Sequence, residues 1–192
     1  MTIPTSKHQI HAEDLPYAAP EEEFCELVAG NVVCEPPPGE THGWITVNVL
    51  SLLGPFVRTR RLGRVYAESG FVLARDPDTV RASDAAFVST ERLAAGTGLR
   101  GAPRGPYFEG APDLAVEVLS PSNSPAAVAH KVRDFLAAGT LAVWVINPED
   151  RTLTIHRRDQ VPQRLAGSDT LDAGPVLPGL RFRVGEIFEP WV

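Results

Sequence analysis

Three side chains of this 192-residue chain occupy positions where their type is costly unless put to use. Glu117 interrupts the apolar run Asp113-Leu-Ala-Val-Glu-Val-Leu-Ser120. Alternation along an extended strand sets Asp113, Ala115, Glu117 and Leu119 on one face. An ionised carboxylate in such a run is expensive unless it is paired or bound to a metal. Asp84 enters the apolar stretch Ala85–Val88 in the same way. Lys131 shares a helical stripe with Val128 and Phe135, so its amine either snorkels to the rim or points into a cleft. Of the 18 basic residues only Lys7 and Lys131 are lysines, which makes an internal Lys conspicuous. The plainer readings are an exposed strand face or structural ion pair for Glu117, a strand-edge acid for Asp84 and a surface amine for Lys131. Together, two carboxylates on neighbouring strands and a Lys on the next helix are the parts of metal-assisted phosphodiester hydrolysis. Mg²⁺ takes oxygen ligands, usually one or two carboxylates with water and phosphate, and it activates water.

The elements that must position these groups can be read from periodicity. Asp113–Ser120, the helix Ala126–Ala138 ending at Gly139, and the strand Leu141–Asn147 form a strand–helix–strand unit. Such a unit implies a parallel pair with a right-handed crossover. Arg64–Ala74 and Thr79–Ser89 read as strands joined by Asp76-Pro77-Asp78, and Thr152–Arg158 as a hairpin partner of 141–147. Ile45, Val49, Leu52, Leu53 and Phe56 have helical spacing over His42–Arg58. Pro20 followed by Glu21–Glu23 predicts a short helix that carries Phe24 and Leu27 inward and stops near Gly30. Asn31–Glu35 then reads as a strand ended by Pro36–Pro38, and Phe182–Phe188 as a final element. Residues 94–112, with five Gly and three Pro, read as a long loop. The fold class is α/β, a central mixed sheet flanked by helices. Residues 1–19 are expected to be a flexible arm and 20–192 one domain.

Composition sets bounds. The chain is 43% hydrophobic and 22% charged, as a globular protein is. The longest apolar stretches, such as Leu141–Ile146, fall far short of the roughly 18 residues of a membrane span, and Met1–His11 has no signal-type apolar core. With Cys25 and Cys34 alone, four-Cys zinc sites and disulfide scaffolds are excluded. Reduced, half-buried thiols in a cytoplasm are the expectation. The net charge is −6, but eight acids and one Lys fall in residues 1–40, so the body is nearly neutral. Arg58, Arg60, Arg61 and Arg64 follow a stretch without acids and are the best candidates for phosphate contacts, a solvated basic turn being the plainer reading. Arg100 and Arg104 belong to the long loop. Gly96, Gly98 and Gly101 do not match a phosphate-loop spacing, and His8 and His11 lack a third ligand.

Phe24-Cys-Glu-Leu-Val-Ala-Gly-Asn-Val-Val, Pro36–Pro38, His42, Asp84, Ala111-Pro-Asp-Leu-Ala-Val-Glu-Val-Leu-Ser-Pro-Ser and Lys131, continuing through Phe135, Gly139 and Val143–Pro148, resemble the bacterial Uma-type restriction endonuclease-like family. The resemblance covers roughly residues 20–158. It implies a PD-(D/E)xK nuclease fold, Mg²⁺ as the ion with Mn²⁺ as substitute, and Asp84 and Glu117 as metal ligands. It also implies a Lys supplied from the helix at Lys131, rather than two residues after the Glu, where Leu119 stands. Glu26 is implied as a further acid of the site, and His42 as a recurrent position. Ser83, Ala127 and Asn147 depart from the family's usual Pro, Asp and Asp. The expected partner is nucleic acid, with DNA ahead of RNA, and a homodimer would suit cutting both strands. A nuclease-fold module without catalysis is the alternative.

Overall fold

The computed structural model describes residues 10–19, 24–95 and 106–189. After a four-residue helix α1 (Leu15–Ala18), strands β1 (Phe24–Val28) and β2 (Asn31–Glu35) form an antiparallel hairpin. The long helix α2 (Glu40–Arg60) leads into β3 (Gly63–Ala74) and β4 (Thr79–Ser89), then α3 (Thr90–Ala95) and the two-residue β5 (Phe108–Glu109). Strand β6 (Leu114–Val118), helix α4 (Pro125–Ala137) and β7 (Ala142–Asn147) follow. The chain closes with β8 (Thr152–His156), β9 (Gln163–Ala166), β10 (Thr170–Asp172), β11 (Arg181–Arg183) and a 3₁₀ turn Val184–Phe188.

One mixed sheet runs β2-β1-β4-β6-β7-β8-β9, with β3 also on β4 and β5 on β3. The expected parallel pair is present as β6 with β7, and the remaining pairs along that order are antiparallel. Alternate residues of the central strands supply two cores. Leu114, Val116, Trp144 and Ile146 pack with Ile45, Val49 and Leu53 of α2. Ala115, Val143 and Val145 pack with Val132 and Phe135 of α4. At roughly 25 cal/mol per Å² of buried apolar surface, these two layers are the main force holding the helices to the sheet.

Strand β4 has three neighbours, so two must share an edge. Val80 faces Val72 of β3 on one side and Leu27 of β1 on the other. Ala85 faces Ala67 of β3 and, on the second side, Val116 of β6. Between them the strand's second edge has no ladder partner, and β1 and β6 diverge there. Buried backbone groups require other partners at such a gap.

Two expectations are corrected. Phe24–Val28 is a strand, not a helix, and Gly30 is no helix stop. Ala29 (φ 48°) and Gly30 (φ 76°) are the two central residues of a tight hairpin turn, where both must take positive φ. The start assigned to that helix, residues 20–23, lies outside the described residues. Cys25 and Cys34 are not free thiols. The hairpin register sets them opposite each other with Cα atoms 4.0 Å apart, and they form a disulfide. Reading residues 24–29 as a helix hid that pairing. His8, Arg100, Arg104, Gly96, Gly98 and Gly101 also fall outside the described residues. Among the described residues, no helix is long and apolar enough to cross a membrane.

Candidate active site

The gap on β4 is filled by carboxylates. Glu26 of β1 turns its Oε1 to the Ala82 backbone N–H, which donates at 2.8 Å. Asp84 accepts from the Val118 backbone N–H at 2.6 Å through Oδ2. These two acids satisfy donors that β1 and β6 leave unpaired where they splay from β4. Continuing the register that pairs Ala85 with Val116 places Asp84 directly across from Glu117.

Helix α4 brings Lys131 to the same point. Ser124 caps the helix by accepting from the Ala127 N–H at 3.2 Å, and Pro125 opens the first turn. Val132 and Phe135 fix the buried face of the helix. Lys131 Nζ then lies 2.7 Å from Glu117 Oε2 and 3.1 Å from Glu26 Oε1. His42, in the first turns of α2, sets its Nε2 3.2 Å from Asp84 Oδ2. The four residues expected at the site, Glu26, Asp84, Glu117 and Lys131, thus gather at the floor of one cleft of about 500 Å³. Its rim includes Phe24, Val33, Pro36 and Pro38.

Electrostatics distinguishes the members. Glu117 is 8% exposed, and its Oε1 is buried without a hydrogen-bond partner. Burial pushes its carboxyl up to about 8 against the pull of the Lys131 ammonium, and Asp84 and Glu26 push the same way. Burial draws the Lys131 amine down, but Glu117 and Glu26 more than offset this and keep it charged. The hydrogen bond that His42 donates to the Asp84 carboxylate raises the histidine's pKa against the effect of burial. A carboxylate pair with an orphaned buried oxygen is a donor set that suits a hard cation and disfavours an empty, dry floor. Among the described residues, no three His, Cys, Asp or Glu side chains gather as a metal cage of their own. Any cation at this floor would take its protein oxygens from Asp84 and Glu117, with other positions left to solvent or substrate.

The arginine cluster lies elsewhere. Arg58 and Arg60 end α2, Arg61 caps it in the left-handed region (φ 54°), and Arg64 opens β3. Eighteen residues of helix separate Arg60 from His42, about 27 Å of rise. Arg58, Arg61 and Arg64 line a separate open depression of about 990 Å³, while Arg60 lies over the Phe56 ring at 4.0 Å. Sequence reasoning missed Arg81, Asp134 and His130, which join the cleft through ion pairs. A single Arg within a strand and an acid on an exposed helix turn carry no signal until their partners are placed. Of the family departures, Ser83 Oγ is buried without a partner, and Asn147 Oδ1 caps the next turn by accepting from the Glu149 N–H.

Comparison with known proteins agrees with this architecture. The model of the Uma2 family, described as "Putative restriction endonuclease", matches residues 11–185. No curated protein matches the chain. A crystal structure described as "a putative nuclease belonging to DUF820 from Anabaena variabilis ATCC 29413" superposes with a TM-score of 0.78 at 22% identity. The alignment covers 93% of this chain and 98% of that one, and at this identity the likeness is one of fold.

Proposed function

Because the chain belongs to the Uma2 family, described as "Putative restriction endonuclease", we propose that it hydrolyses phosphodiester bonds in DNA with Mg²⁺, or Mn²⁺ in its place. The observation that carries this reading is the meeting of Asp84, Glu117 and Lys131 at one cleft floor, with a buried Glu117 oxygen left unpartnered. Asp84 and Glu117 would hold the ion. When bound, such an ion supplies Lewis-acid polarisation of the phosphate and a more acidic water. Lys131, kept charged by its two carboxylates, is a donor and not a base. It orients the attacking water and faces the negative charge that develops on the phosphate. The low exposure of Glu117 excludes bulk water and strengthens each of these interactions. Arg58, Arg61 and Arg64 are proposed as distant phosphate contacts. Along α2 Arg58 lies about 24 Å of helical rise from His42, while Arg64 stands on β3 only roughly 13 Å of strand from Glu68 at the cleft wall, so the cluster extends away from the cleft rather than sitting at one distance from it.

The test is cleavage of a labelled 20-base-pair duplex and of supercoiled plasmid with Mg²⁺, Mn²⁺ or chelator. We expect cleavage that chelator abolishes and that Asp84→Asn or Glu117→Gln lowers about 10³-fold, with cooperative unfolding retained. Metal-independent cleavage, or undiminished cleavage by either variant, overturns the assignment. A protein that binds the duplex but never cuts it would be a nuclease-fold binding module instead.

A further inference from the structure

Glu26 cannot act as a free acid. Its Oε1 accepts from the Ala82 N–H at 2.8 Å and from Lys131 Nζ at 3.1 Å, while its Oε2 accepts from Arg81 Nη1 at 2.7 Å. Arg81 donates its other two faces to Asp134 Oδ2, from Nε at 2.8 Å and Nη2 at 2.6 Å. Asp134 is three residues after Lys131 on α4, so the contacts close a circuit. They run from α4 through Arg81 on β4 and Glu26 on β1, then back to the lysine of the same helix. The charges alternate in sign along Asp134, Arg81, Glu26 and Lys131, whose ammonium also touches the Glu117 carboxyl. His130 Nδ1 sits at the rim of this circuit, 3.2 Å from Arg81 Nη2 and 3.3 Å from Asp134 Oδ2.

We infer that Arg81 and Asp134 are positioning residues that fix the Lys131 ammonium through Glu26. This rests on the nuclease reading only for its consequence in catalysis. A lysine has a flexible four-carbon stem that is costly to order, and one ionic contact leaves the ammonium free to pivot about its partner. The Glu26 carboxylate is the second anchor; the Ala82 N–H holds its Oε1 and the Arg81 fork holds its Oε2, so the fork fixes the rotation that the single backbone contact leaves free. Arg81, with its side chain 8% exposed, retains its charge in that place because Glu26 and Asp134 flank it. Asp134 ties that fork to the helix carrying the lysine. Asp134 and Lys131 ride on α4 while Glu26 is held to the sheet, so the circuit ties the helix to the sheet at the ammonium.

The scarcity of lysine gives a direct readout. Protein labelled with ¹³C,¹⁵N-lysine yields two side-chain NMR signals, from Lys7 and Lys131, and Lys131→Arg assigns them. We expect the Lys131 ε-protons to be inequivalent in the parent. In Arg81→Gln and Asp134→Asn they should collapse toward the position of a solvated lysine, with faster acetylation by an N-hydroxysuccinimide ester. Asp134→Glu should restore most of the parent pattern. In the cleavage assay kcat should fall between about 10- and 100-fold with KM for duplex unchanged. Should Arg81→Gln fail to fold, Asp134→Asn, whose side chain is 22% exposed, carries the test. Lys131 signals unmoved in a folded variant overturn the inference, whatever the activity. Signals that move in a protein without any cleavage leave the positioning intact and remove the nuclease reading.

Discussion

Asp113 precedes β6 and Glu117 lies within it, and the two acids do opposite work. Asp113 is spent on the fold: it accepts from the Ser89 N–H at 2.6 Å and from Arg92 Nε at 2.8 Å, and Arg92 in turn reaches the carbonyls of Ala111 and Gly139. Glu117 satisfies no backbone group and leaves one oxygen unpartnered. Asp113→Ala should therefore destabilise by about 2 kcal/mol, read as a lower urea midpoint, because it leaves the part-buried Ser89 N–H without an acceptor and removes the one carboxylate beside Arg92. Glu117→Gln should cost much less stability while removing activity, so the two acids separate in a plot of stability against rate. Both were visible in the sequence as charges flanking or interrupting an apolar run, yet nothing in that pattern told them apart. Arg81 and Asp134 were not legible at all, since what they do depends on partners 55 and 53 positions away.

At the level of elements, the unit of β6, α4 and β7 was fully legible because periodicity, the Ser124-Pro125 start and the Gly139 stop agree with one another. Helix α2 and the long hairpin of β3 and β4 were legible for the same reason. The hairpin of β1 and β2 was not. Three consecutive glutamates after Pro20 favour a helix locally, whereas Leu27, fully buried, gains its contacts only by joining β4. Tertiary pairing overrode local preference. The cap on α4 gives a test at this scale. Ser124→Ala should cost about 1 kcal/mol and reduce cleavage further than that loss of stability explains, because Lys131 lies on the same helix. Hydrogen exchange of the first α4 amides beside the cleavage rate is the check. Gly63 offers a contrasting case remote from the cleft. A Cβ there would meet the Val88 carbonyl, so Gly63→Ala should lower stability by about 1–3 kcal/mol without a change in cleavage per folded molecule.

At the scale of the whole molecule, one group through which acidity works against the fold is His156, paired with Val143 beside the sheet's centre. Burial lowers its pKa below the usual 6.5. The unfolded chain therefore takes up the proton first, and this contribution to stability, complete well above pH 6.5, is lost as the pH falls through and below that value. Glu117 and His42, raised in the fold, act in the opposite sense in both proteins, so the test is the difference: between pH 8 and pH 5.5 urea titrations should show a change on acidification less favourable to the parent than to His156→Gln. Equal changes would mean the histidine titrates alike in both states. The divided edge of β4 has one more consequence, which concerns how such a fold could age. Glu26 and Asp84 each repair a backbone donor exposed where β1 and β6 part, so a lineage that abandoned catalysis would still be under pressure to keep them. Glu117 and Lys131 repair none and would be free to drift. In this architecture the pair whose presence would report on catalysis rather than on folding is Glu117 with Lys131, and this chain carries both.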